Sequence, residues 1–103
     1  MDFFMGVREA KIEKYLSDQV KIHFPDGMCE KWGLSSNPDQ ILFLRSKSYF
    51  LEIKTIKGKE QSNQTRQIVR IKATGNIVFT LKGHVGVDWF IEYLKKNVNS
   101  TAS

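Results

Sequence analysis

The stretch Ser48-Tyr49-Phe50-Leu51-Glu52-Ile53-Lys54, SYFLEIK, decides how the rest of this 103-residue chain is read. Its aromatic and β-branched residues mark a strand, and side chains on a strand alternate between faces. Glu52 and Lys54 therefore project from one side, and Tyr49, Leu51 and Ile53 from the other. An isolated acid and lysine two apart on a strand are most simply an ion pair, so their meaning depends on what the neighbouring segments bring to them.

The segment before it, PDQILFL (Pro38 to Leu44), reads as a second strand joined to the first by the short connection RSK, which is a hairpin signal. With the turn set at Arg45 to Ser48, Leu44 falls opposite Tyr49, and Asp39 falls opposite Lys54 and diagonal to Glu52. The companion face then holds Leu42, Leu44, Tyr49, Leu51 and Ile53, a consistent apolar core. Two carboxylates and an ammonium meeting at a sheet edge suit metal-assisted phosphodiester hydrolysis. Hard cations such as Mg2+ or Mn2+ take carboxylate and carbonyl oxygens, acidify a bound water and neutralise charge on phosphate. In this reading Asp39 and Glu52 hold the metal with the Ile53 carbonyl, and Lys54 orients or deprotonates the attacking water.

Farther out, Ile12, Leu16 and Val20 recur at helical spacing and predict a first helix over Val7 to Ile22. The FPDG sequence at Phe24 to Gly27 is a turn, and Met28 to Leu34 is a further strand. After the polar loop KGKEQSNQ, Ser62 can cap a helix that runs to Thr74, where Gly75 stops it in a left-handed conformation. Ile77 to Leu81 predicts a buried strand, and Val87 to Lys96 a last helix with Lys95 and Lys96 in its final turn. The expectation is an α/β fold of order αβββαβα with a mixed sheet flanked by helices. Residues 1–96 form one domain in this reading, and 97–103 a polar tail.

Composition narrows the partners. Hydrophobic residues at 41% and charged residues at 26% fit a globular chain rather than a disordered one. Lysine and arginine number 16 against 11 acidic residues, leaving +5, and this favours nucleic acid or an anionic surface. The lone Cys29 can make neither an internal disulfide nor a cysteine zinc site. The opening MDFFMG is unlike a signal peptide and nothing approaches a membrane span, so a cytoplasmic setting is expected. His23 and His84 have no ligand pattern around them, and the glycines at Gly83 and Gly86 lack phosphate-loop spacing. Trp32, Trp89, Phe90 and Tyr93 suit a core or a subunit interface better than base stacking. No motif points to a small-molecule enzyme.

Asn37-Pro38-Asp39, twelve intervening residues and then Glu52-Ile53-Lys54 resembles the PD-(D/E)XK nuclease motif. Arg8-Glu9 at the helix opening, Lys31 on the first strand, EIKTIKGK at Glu52 to Lys59, SNQ at Ser62 to Gln64 and ATGNIVFTL at Ala73 to Leu81 are similar to the VRR-NUC branch. The resemblance implies a restriction-endonuclease-like core, Glu9 as a metal ligand or its neighbour ahead of the alternative Glu13, and Gln64 supporting the site. By this resemblance small stand-alone members are similar to homodimeric, metal-dependent Holliday junction nucleases of phages, which implies DNA, four-way junctions included, as substrate and a homodimer as the working form. For a viral protein the setting would be the host cytoplasm. Asn37 and Gln40 depart from the usual pattern, where a glycine-containing turn and an apolar residue are more typical.

The cations Lys57, Lys59, Arg66, Arg70 and Lys72 follow the ExK strand closely, and in a nuclease they suit phosphate contacts. Lys31, if its strand lies beside Asp39, can face the scissile phosphate. The rival reading is a non-catalytic nucleic-acid-binding module in which Asp39, Glu52 and Lys54 form a structural charge cluster.

Overall fold

In the computed structural model the described residues are 8–31, 40–56, 70–75 and 77–98. Helix α1 (Glu9–His23) forms where the Ile12, Leu16 and Val20 stripe predicts it, and those three side chains are its buried face. It ends at Phe24, whose N–H still donates to the Val20 carbonyl at 2.7 Å, before Pro25 and Asp26 turn the chain and the Gly27 N–H donates to the Phe24 carbonyl.

Four strands follow: β1 (Met28–Lys31), β2 (Gln40–Leu44), β3 (Lys47–Lys54) and β4 (Val78–Lys82). They lie in that order across one sheet, antiparallel from β1 to β3 and parallel between β3 and β4. Parallel neighbours need a crossover connection. Residues 70–73 of that connection are helical, and Gly75 stands just after them at φ +90°, as its placement at a helix end predicts.

The hairpin register corrects the expected one. Leu44 pairs with Lys47 rather than Tyr49, and Gln40 pairs with Leu51. Only Arg45 and Ser46 form the turn, both with positive φ (51° and 69°). That two-residue geometry matches the right-handed twist of the flanking strands. The placement of Asp39 opposite Lys54 rested on the other register, and Asp39 lies outside the described residues. Because the shift is by two positions, the faces keep their assignment. Leu42, Leu44, Tyr49, Leu51 and Ile53 are all buried together, as expected.

β4 runs straight into helix α2 (Gly83–Val98). This helix starts four residues before the expected Val87 and continues through Asn97 to Val98, which is itself buried. The early start is a packing effect. Gly86 lies so close to Leu81 that an added Cβ would stand 3.0 Å from its carbonyl carbon, and only glycine lets the helix begin against the strand it leaves. α1 and α2 pack on the Leu51 and Ile53 face through Ile12, Leu16, Phe90 and Leu94, all fully buried, each worth roughly 1.5–3 kcal/mol of apolar transfer. Tyr15 of α1 ties the two helices at the surface, donating its hydroxyl to Asp88 and setting its ring edge-on to His84 at 4.4 Å.

Candidate active site

The last four residues of β3 are buried on both faces of the sheet. Leu51 and Ile53 sink into the core under the helices, which leaves Glu52 and Lys54 on the opposite side, where both are also closed off from solvent. Lys54 Nζ lies 3.2 Å from Glu52 Oε2. Burying an ammonium and a carboxylate costs several kcal/mol per ion, which mutual attraction offsets only in part, and apolar residues of the same volume would usually hold a strand as well. The pair is thus expensive for stability at a position where sequence alone would accept leucine.

Thr80 and Lys82 of β4 stand beside Glu52 and Lys54 across the parallel ladder and share their face. The sequence reading did not single out Lys82, although the run to it, like the run to Lys54, is an apolar strand that ends in lysine.

The α1 side gathers a separate set. Lys31 pairs with Gln40, and Gln40 with Leu51, so Lys31 belongs to the α1 face of the sheet and not to the face of Glu52 and Lys54. Its ammonium lies 3.7 Å from Glu13 Oε1. Glu9 is half-buried in the first turn of α1, four residues before Glu13. Among the described residues, no three Asp, Glu, His or Cys side chains cluster closely enough to hold a metal ion. Glu52 supplies one buried carboxylate suited to a hard cation, and a complete donor set needs partners beyond the described residues. Arg70 and Lys72 are exposed on the helical residues 70–73. Asp39, Lys57, Lys59, Gln64 and Arg66 lie outside the described residues.

Gln40, the residue that departs from the expected apolar pattern, is buried and accepts a hydrogen bond from the Cys29 thiol at 3.5 Å. Burial, reinforced by the negative charges of Glu30 and Glu13, pushes that thiol up from 9.0 to about 11.

No protein-family model matches the sequence, and no curated protein is significantly similar to it. Solved structures do match. One, described as a VRR_NUC domain, superposes with a TM-score of 0.72 at 28% identity over 82% of this chain and 94% of its own. This chain is a VRR-NUC-like domain. A second structure, described as a VRR_NUC domain protein, shares the fold with a TM-score of 0.68 at 15% identity, covering 91% of this chain and 90% of its own. A Holliday junction resolvase from Archaeoglobus fulgidus overlaps 67% of this chain and 64% of its own at 14% identity, with a TM-score of 0.46. In this VRR-NUC-like, restriction-endonuclease-like arrangement the ExK sequence falls on β3, an interior strand, where the sheet changes from antiparallel to parallel.

Proposed function

We propose that this protein is a metal-dependent DNA endonuclease that hydrolyses phosphodiester bonds, with a preference for branched DNA such as four-way junctions. The observation that carries this reading is the buried Glu52–Lys54 ion pair on an interior strand of a VRR-NUC-like fold. The net charge of +5 supports a polyanionic partner.

In this proposal Glu52 and Asp39, with the Ile53 carbonyl, hold Mg2+ or Mn2+, while Glu9, which stands with the α1 set, acts as a neighbour of the metal site instead of a direct ligand. In the sequence Asp39 precedes Ile41 and Phe43 by two and four residues, and the partners of those two, Phe50 and Ser48, share the Glu52 side of β3; this spacing is the ground for proposing Asp39 as the second carboxylate. The ion, when bound, would supply an acidified water and a counter-charge for the phosphate. Lys54, held against Glu52, orients the attacking water through its ammonium hydrogens. Gln64 steadies the site, and Lys57, Lys59, Arg66 and Arg70 contact flanking phosphates. Lys31, 71% exposed but turned to the α1 face, contributes at the rim. A homodimer would place one such site on each strand of a symmetric junction.

The test is cleavage of a labelled four-way junction and a linear duplex in Mg2+, Mn2+ or EDTA, comparing wild type with Asp39→Ala and Lys54→Ala. Metal-dependent nicking lost in both variants, with binding retained, supports the reading. A wild-type protein that binds both DNAs but cuts neither with either metal, indistinguishable from its variants, would make the Glu52–Lys54 pair a structural element of a binding module. Light scattering that finds only monomer, free and DNA-bound, would remove the dimer.

A further inference from the structure

β3 and β4 run parallel with Lys54 abreast of Lys82 and Glu52 abreast of Thr80. Side chains abreast on neighbouring strands leave the same face from backbones roughly 4.8 Å apart. The two lysines therefore rise side by side where both strands end, the carboxyl edge at which open α/β sheets take their ligands. Their surroundings differ sharply. Lys54 is buried and ion-paired to Glu52, whereas Lys82 is exposed and, among the described residues, engages no ion pair or side-chain hydrogen bond. Like charges directly abreast destabilise a ladder, so the exposed ammonium of Lys82 gains from an anion brought to it. Lys82 thus presents an exposed positive charge beside the buried pair.

We propose that Lys82 grips a phosphate of the bound DNA next to the Glu52–Lys54 pair and so positions the strand for cleavage. The inference rests on the nuclease reading and deepens it, since the anion is a phosphodiester of the substrate. A lysine on a flexible four-carbon stem suits this task as a mobile point charge that needs no fixed planar geometry. Lys82 makes or breaks no bond, and its contribution is to substrate binding alone.

The experiment is fluorescence anisotropy with a labelled four-way junction and a labelled linear duplex, in Ca2+, across a KCl series. It compares wild type, Lys82→Ala, Lys82→Arg and Lys47→Ala, the last removing an exposed lysine at the far end of β3. Lys82→Ala is expected to weaken binding roughly three- to ten-fold and to flatten the salt slope by about one, whatever the DNA sequence. Lys82→Arg should restore most of the affinity, and Lys47→Ala should leave it near wild type. An unchanged slope and affinity in Lys82→Ala, while wild type binds and cuts, overturns this inference and leaves the nuclease reading standing. Equal losses in Lys47→Ala and Lys82→Ala also overturn it, because general surface charge then explains both. Wild-type protein that binds neither DNA overturns the nuclease reading, and the role of Lys82 falls with it. All variants change exposed side chains, and circular dichroism verifies that they fold.

Discussion

The ammonium of Lys54 sits 3.2 Å from the carboxylate of Glu52 with the two side chains only 7% and 1% exposed. Removing one partner takes the nearest counter-charge from the other in a low-dielectric interior, whereas replacing both with apolar or neutral groups removes the cost of burying the charges. Lys54→Ala should therefore lower unfolding free energy by about 3–5 kcal/mol in urea denaturation. The double variant Glu52→Gln, Lys54→Met should be no less stable than wild type to within about 1–2 kcal/mol, yet cut no DNA. A double variant as unstable as the single one would show that the pair is retained for the fold itself.

Three glycines separate backbone strain from crowding. Gly75, at φ +90° with open space around its missing Cβ, should lose about 1 kcal/mol on change to alanine from the left-handed backbone alone. Gly83 adds to a φ of +65° an approach of 2.9 Å to Ile56 Cγ1, so Gly83→Ala should cost more, and trimming the exposed Ile56 to alanine should recover the steric part only. Gly86 sits inside α2, where alanine would ordinarily gain about 1 kcal/mol. Here the added carbon would press on the Leu81 backbone at 3.0 and 3.1 Å, and overpacking of this kind costs roughly 1–3 kcal/mol. Gly86→Ala is thus expected to destabilise, and a rise in Tm for that variant would contradict the packing account.

What could be read in advance followed from periodicity. Ile12, Leu16 and Val20 specify one helix face, and the alternation through Tyr49, Leu51 and Ile53 specifies one sheet face, because burial demands those spacings whatever the details of the connections. The hairpin register was not legible, since Arg45-Ser46 carries none of the Asn-Gly chemistry that announces a two-residue turn. The start of α2 was hidden because glycine is a poor helix former, and the nearness of Ile56 and Leu81 that makes Gly83 and Gly86 fit there is a property of the fold. At the site, the ExK pattern was plain, but the closure of both charges from water and the position of Lys82 beside Lys54 depend on the parallel pairing with a strand some two dozen residues later. Lys31 was assigned by its strand alone, and the turn of its side chain toward Glu13 is a consequence of which face that strand shows to α1.

The hairpin offers a stabilising change. Ser46 holds φ at 69°, a region that costs a non-glycine residue about 1–2 kcal/mol. Ser46→Gly should raise stability by about 0.5–1 kcal/mol, the gain reduced by the greater freedom of glycine in the unfolded chain. Arg45 is best left in place, because its Nε donates to Asp26 at 3.0 Å and links the hairpin to the turn after α1. That pair is exposed and screened by solvent, so Arg45→Ala should have a smaller effect than Ser46→Gly and of opposite sign. Urea midpoints of the two variants check both expectations.

Cys29 gives a chemical readout of the β1–β2 edge. Its thiol is pushed from 9.0 to about 11, first by burial and then by the charges of Glu30 and Glu13, while it donates to Gln40 Oε1. At a pH below both values the thiolate fraction in the folded protein is lower than in the unfolded chain by about two powers of ten, and thiolate is the reactive form. Alkylation by iodoacetamide at pH 8 should accordingly run on the order of 100-fold slower in the native protein than in urea. The raised value also fixes the sign of the stability term: folding favours the protonated thiol, so this contribution is complete below pH 9.0 and disappears as pH rises through about 11. Glu30→Gln should speed native alkylation modestly, since it removes a secondary cause and leaves burial intact. Native Cys29 reacting at the unfolded rate at pH 8 would show that β1 opens freely from the sheet edge instead of shielding the thiol against Gln40.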